Sequence, residues 1–172
     1  SAETFTVRDF GALDYFNLLI DDQNATKDTF SAAAAALDIN GSFTVNGGSF
    51  TAPATTMTLA GNFSHTGGTF THNNGTVILD GASQSIFGST TFRHLTKNVT
   101  SAATLTFEAG STQTITGTLT LQGAAGQLLS LRSSNPGTQW NIDPAVPRVV
   151  NYLDVQDSNN TNATAINAVG TN

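Results

Sequence analysis

Short runs in which apolar residues alternate with small polar ones fill most of this chain. In Thr118-Leu-Thr-Leu-Gln-Gly123, Leu119 and Leu121 take one side of an extended segment and Thr118 and Thr120 the other. The same alternation in Ser42–Phe50 turns Phe43, Val45 and Phe50 to one interior. The pattern predicts short strands at Thr4–Val7, Tyr15–Ile20, Leu37–Ile39, Ser42–Val45, Ser49–Thr51, Thr56–Leu59, Asn62–His65, Thr69–Thr71 and Thr76–Leu79. It continues at Gln84–Phe87, Thr90–Leu95, Thr104–Phe107, Gln113–Ile115, Thr118–Leu121, Leu128–Arg132, Gln139–Ile142 and Val149–Val155. Asn-Gly at 40–41, 46–47 and 74–75 and Gly-Gly at 47–48 and 67–68 supply the positive φ that tight corners need. Turn signals this frequent do not suit a sandwich, where they fall about every 8–12 residues. Only Ala32–Ala36 departs from the strand pattern. It reads either as a short helix with Ser31 as N-cap or as tightly packed irregular coil.

The strands repeat. Leu37–Thr51 is echoed twenty residues later by Met57–Thr71, with Gly41/Gly61, Phe43/Phe63, Gly47/Gly67, Gly48/Gly68, Phe50/Phe70 and Thr51/Thr71 identical. Val77, Leu79 and Gly81 carry the step once more. A longer offset of 76 residues places Ile39–Gly47 on Ile115–Gly123 and Phe16–Ile20 on Phe92–Thr96. A period near twenty filled with short strands marks a solenoid. The expected fold is all-β: a single parallel β-solenoid with coils of about 20 residues. Phe43 over Phe63 and Phe50 over Phe70 would form core ladders. Residues 1–22 are expected to form an N-terminal cap or exchanged strand, 23–131 the repeat coils, and 132–172 a C-terminal coil or cap, since the lone Trp and three of the four Pro lie there.

Composition narrows the function. Charged residues make up only 10% of the chain and the net charge is −6, which argues against a nucleic-acid partner. There is no Cys, hence no disulfide and no thiolate metal site. No apolar run approaches the ~20 residues of a membrane-spanning helix. The chain starts at Ser1 without Met, which fits a mature product after signal-peptide removal or a trimmed chain. With the composition this favours a secreted, extracellular protein at a cell surface.

The turns Gly41-Ser-Phe-Thr-Val-Asn-Gly47 and Gly117-Thr-Leu-Thr-Leu-Gln-Gly123 resemble those of large secreted prokaryotic surface proteins with parallel β-helix repeats. Leu131–Ile142, followed by Val150–Ser158, is similar to the segment that often closes such repeat blocks. The resemblance covers about residues 15 to 158. It implies a right-handed β-helix displayed outside the cell and carries no catalytic motif over. Members of that group are far longer than 172 residues, so this chain would be a fragment, or a subunit that gains length by assembling.

Side chains able to do chemistry are few and scattered. His65 and His72 lie seven apart and His94 is distant, against the three or four converging ligands a metal wants. Asp154, Asp157, Asn159 and Asn160 offer oxygen ligands for Ca²⁺ but lack a dedicated Gly-spaced loop, so a solvated turn is expected. Asp14, Asp21 and Asp22 read as surface loop residues. Glu3 and Glu108, the only Glu, give no carboxylate pair of the kind a glycosidase needs. The expectation is therefore no enzyme activity, no metal and no cofactor. The triplets Thr56–Thr58, Thr69–Thr71, Thr104–Thr106, Thr114–Thr116 and Thr118–Thr120 could present hydroxyls to ice or to a regular polymer. They do not recur at one repeat position, which argues against a single flat array. Sequons at Asn24, Asn40, Asn62, Asn74, Asn98, Asn159 and Asn162 permit glycosylation in a suitable host.

A solenoid exposes strand edges and a slice of its core at both ends. Residues 3–20 carry Phe5, Val7, Phe10, Phe16, Leu18 and Ile20 without a clean turn pattern, and would cap the stack or add to a neighbouring subunit. The leading expectation is a non-enzymatic structural protein whose partner is itself, forming a head-to-tail filament or surface coat. The alternatives are an adhesive module that binds surface glycans and an ice-binding solenoid.

Overall fold

A computed structural model describes residues 1–11, 14–32 and 36–168. Its strands, in chain order, are β1 (Thr4–Val7), β2 (Leu18–Asp21), β3 (Thr29–Ala32), β4 (Leu37–Ile39), β5 (Phe43–Gly47), β6 (Ser49–Thr51), β7 (Thr56–Leu59), β8 (Phe63–His65), β9 (Thr69–Thr71) and β10 (Thr76–Leu79). They continue as β11 (Gln84–Phe87), β12 (Thr90–Phe92), β13 (His94–Asn98), β14 (Ala103–Phe107), β15 (Thr112–Ile115), β16 (Leu119–Gln122), β17 (Leu129–Ser133), β18 (Trp140–Pro144), β19 (Arg148–Asn151), β20 (Leu153–Val155) and β21 (Ser158–Asn160). No helix occurs among the described residues. The reading of Ala32–Ala36 as a helix falls largely on residues 33–35, outside the described residues; Ser31 and Ala32 end β3.

The chain winds through three faces in rotation. The first face is the sheet β4-β7-β10-β13-β16-β19, and the second is β2-β5-β8-β11-β14-β17-β20. The third is built from two sheets, β1-β3-β6-β9 and then β12-β15-β18-β21. Every strand pair is parallel, giving a β-solenoid of about six turns of roughly 23 residues. The coil of about twenty residues holds for Leu37↔Met57 and Met57↔Val77. Other coils run from 18 residues at Val77↔Leu95 to 29 at Leu119↔Arg148, the longest including the exposed loop 134–139 before Trp140. Hence the stack has fewer, longer turns than a strict twenty-residue period would give.

The 76-residue offset is not a structural register. It carries Ile39 of β4, on the first face, to Ile115 of β15, on the third. It carries Phe43 of β5, on the second face, to Leu119 of β16, on the first. The register itself runs Ile39↔Leu59↔Leu79, then through Lys97↔Leu121↔Val150. The offset is thus four coils less one side of the prism. All three sides use the same strand–corner–strand chemistry, so the sequences resemble one another across faces.

The inward positions form columns of stacked side chains. Phe43 pairs with Phe63 at a ring-centroid distance of 5.5 Å, and Phe50 pairs with Phe70 at 6.3 Å. Phe63 also meets Phe70 edge-on at 5.2 Å and Phe92 at 5.1 Å. Phe43, Phe50 and Phe63 are fully buried and Phe70 is half-buried. The ladder through Phe50 and Phe70 extends back to Phe30 and Phe5, with Phe5 stacked on Phe30 at 5.3 Å. Burying each such ring contributes roughly 1.5–3 kcal/mol. Further along, Trp140 stacks on Phe107 at 3.9 Å and its indole N–H donates to the Gln156 carbonyl.

Candidate functional site: the ends and outer faces of the solenoid

The histidines and the C-terminal acidic and amide side chains make contacts within the chain. The Thr118 N–H donates to His94 Nδ1 and the Asn74 N–H to His72 Nδ1, while His65 Nδ1 lies 3.1 Å from the Thr90 hydroxyl. Burial, with Arg93 and His94 nearby, pulls the His72 imidazole below its usual pKa. The three rings bond to different partners, and no group of three or more His, Asp or Glu among the described residues is arranged to hold a metal ion. The C-terminal oxygens likewise go separate ways. Asp154 pairs with Arg132, Asp157 accepts from the Gly137 N–H, Asn159 donates to Asn141, and Asn160 donates to the Thr164 carbonyl.

Glu108 accepts from the Gly88 N–H at 2.7 Å, whereas Glu3 lies beside β3 at the N-terminal end, so the two carboxylates are coils apart. Asp22 accepts from the backbone N–H groups of Asp28 and Asn24, which lower its pKa, and so fixes its own loop. Asp14 accepts from Asn40, and Asp21 from Gln23 and Asn46. Of the seven sequon asparagines, Asn24, Asn40, Asn62, Asn74 and Asn98 are exposed; Asn159 and Asn162 are half-buried and hydrogen-bonded.

The ends differ in construction. At the N-terminal end, Val7 and Ile20 are buried and Leu18 is half-buried against the core. Phe10 and Phe16 are 62% and 72% exposed, and Leu19 and Phe5 are also exposed. Phe10 lies 6.1 Å from Tyr15, which bridges to Ile39 of the first face. Among the described residues, strands β1 and β2 pair on one side only, with β3 and β5. The segment therefore joins the stack as its first coil while leaving apolar rings outside it.

At the C-terminal end, an apolar depression of about 350 Å³ opens beneath the last coil, lined by Leu121, Leu131, Trp140, Ile142, Val155 and Ile166. Arg148 governs this end, and sequence patterning alone did not single it out. Its register partner is Leu119, so it takes an inward position below the column Leu37, Met57, Val77, Leu95 and Leu119. There its guanidinium donates to the Pro144, Ala145, Thr164 and Ala165 carbonyls and to Asn162 Oδ1. A cation with five fixed donors ends the apolar column and straps residues 162–165 across the end. β20 and β21 are the last strands of their sheets.

The outer faces carry the hydroxyls. The Thr-x-Thr triplets scatter: Thr56–Thr58 and Thr118–Thr120 lie on the first face, Thr104–Thr106 on the second, Thr69–Thr71 and Thr114–Thr116 on different sheets of the third. A different set aligns. Thr4-Phe-Thr6, Thr29-Phe-Ser31, Ser49-Phe-Thr51 and Thr69-Phe-Thr71, a mixed Thr and Ser set of which only the last is one of those triplets, occupy four consecutive strands of the third face in continuous register. No protein-family model, no curated protein and no solved structure matches this chain.

Proposed function

We propose that this chain is a non-enzymatic extracellular structural protein that associates head to tail into filaments or a surface coat. The observation that supports it is the pair of unfinished ends. Phe10, Phe16 and Leu19 stand exposed where β1 and β2 each lack a second neighbour, and an apolar depression opens beside β20 and β21. Because all strands are parallel, a second copy on the same axis offers β1 and β2 with the polarity that β21 and β20 require. Such a contact joins two different surfaces and does not close on itself, which is the geometry of an open fibre. Extracellular placement is part of the proposal and rests on a composition low in charge and rich in Thr, Ser, Asn and Gly.

Electron microscopy of purified protein, with sedimentation across a concentration series, tests this reading. Fibres with the axial repeat of one solenoid are expected, and a chain lacking Ser1–Ile20 should remain monomeric. Monodisperse monomers at high concentration, unchanged by that truncation, would remove the filament. A second reading, a surface-displayed adhesive module, is favoured by the uncharged hydroxyl face of β1, β3, β6 and β9.

A further inference from the structure

We propose that the third face of the first four coils binds an ordered lattice of water, that is, the surface of ice. Thr4, Thr29, Ser49 and Thr69 are successive register partners; so are Thr6, Ser31, Thr51 and Thr71. Between the columns, Phe5, Phe30, Phe50 and Phe70 occupy the intervening ladder position, which places both hydroxyl columns on the outer side. Neighbouring strands lie about 4.7–4.9 Å apart, and residues i and i+2 of a parallel strand about 6.6 Å apart. The result is a two-by-four net of hydroxyls at two fixed repeats. Hexagonal ice exposes planes whose oxygen rows repeat at distances of this order. Six of the eight residues are Thr, whose branched side chain has few rotamers on a strand and sets a methyl beside each hydroxyl.

Two further observations point to water rather than to another occupant. Among the described residues, none of the eight hydroxyls is engaged in a hydrogen bond within the chain. Several corner hydroxyls are instead spent internally: Ser42, Ser83 and Ser89 accept from backbone N–H groups of the next coil, Ser134 accepts from the Ala109 N–H of the coil before it, and Thr116 and Thr161 donate to carbonyls. The net also contains no charged residue, although the chain carries eighteen Asp, Glu, Lys and Arg. A neutral lattice of donors and acceptors is the complementary occupant. Beyond β9 the sheet breaks, and the outward column resumes as Thr91, Thr114 and Asp143, where charge enters. The net is therefore confined to four strands.

This inference is independent of head-to-tail association and has its own test. Thermal hysteresis and inhibition of ice recrystallisation are measured on the full chain. Thr51→Lys, at the middle of the net, Thr71→Lys, at an exposed position of β9, and Thr120→Lys, on the first face, are compared by melting temperature and circular dichroism. The expected result is a gap between melting and freezing points with faceted crystals in the parent. That gap should be lost in whichever of the two third-face variants is folded and kept in Thr120→Lys. No gap in the parent at millimolar concentration, or equal loss in Thr120→Lys, overturns the proposal. So does self-association of the parent that Thr51→Lys or Thr71→Lys dissolves, because the face would then be a contact between copies. Fibres seen without hysteresis would leave the filament reading intact and end this one.

Discussion

Lys97 takes an inward position between Leu79 and Leu121, in a column otherwise apolar from Ile39 to Val150. It is fully buried, and its ammonium donates to the Gly81 and Ala82 carbonyls and to Gln84 Oε1. Gln84 in turn donates to the Leu59 and Gly61 carbonyls, so the pair fastens one corner across successive coils. Burial pushes the Lys97 pKa down to about 8, partly offset by the Asp80 carboxylate. Its value in the unfolded chain is about 10.4. Below pH 8 both states hold the proton and the desolvation penalty is fully present. Between the two values the unfolded chain binds more protons, so stability rises with pH through that window, by an amount on the order of 2–3 kcal/mol.

Lys97→Met removes the penalty but orphans Gln84 Oε1 and two carbonyls, at about 1–3 kcal/mol. The two effects nearly cancel at pH 7. Denaturant unfolding should therefore show the variant close to the parent at pH 7 and about 2–3 kcal/mol less stable near pH 10. A difference that does not change with pH would refute this account of Lys97.

At the scale of the element, the corner between the second and third faces sets which residues a coil can use. Gly48 and Gly68 stand one coil apart with φ of +70° and +69°. A Cβ on Gly68 would lie 2.5 Å from the Gly48 carbonyl oxygen, whereas Gly126, with φ of +72°, has open space around it. Gly68→Ala incurs both the left-handed strain of about 1–2 kcal/mol and a clash worth about 1–3 kcal/mol, while Gly126→Ala incurs only the first. Chemical denaturation should rank Gly68→Ala well below Gly126→Ala, and equal losses would exclude the close approach as a cause. This corner was plain in the sequence, because Gly47-Gly48 and Gly67-Gly68 recur in two coils of equal length. The 76-residue offset misled for a related reason: alternation and turn residues are alike on all three faces, so similarity reveals a strand but not its side. The aligned hydroxyl net is not legible in the sequence because Thr4, Thr29 and Ser49 are unequally spaced and Ser replaces Thr within it. Arg148 was hidden because only the register with Leu119 reveals that it points inward.

For the whole molecule, the question is what a parallel stack does with its two ends. Among the described residues the C-terminal end is half closed: Arg148 straps residues 162–165 across it and Ile166 packs against the core, while a depression lies beside Trp140 and Val155. The N-terminal end has no such strap among the described residues, and Phe10 and Phe16 project from its first coil. These rings contribute little to the monomer, since most of their surface is already in water, so replacing them should leave folding almost untouched. In an axial contact they would leave water against the apolar depression of the next copy, and buried aromatic anchors typically account for about 2 kcal/mol or more each. Phe10→Asp/Phe16→Asp is therefore expected to keep the parent's melting temperature within a few degrees while weakening axial association by about a hundredfold or more. Added to parent fibres, the double variant should still accept a partner through its intact C-terminal end but fail to dock through its own N-terminal end. It should thus add once to the fibre end that exposes an N-terminal face and cap it, while elongation by the parent at the opposite end is unaffected. Labelled-monomer elongation followed by microscopy reads this directly, and equal incorporation of the variant at both ends would show that the N-terminal rings take no part in assembly.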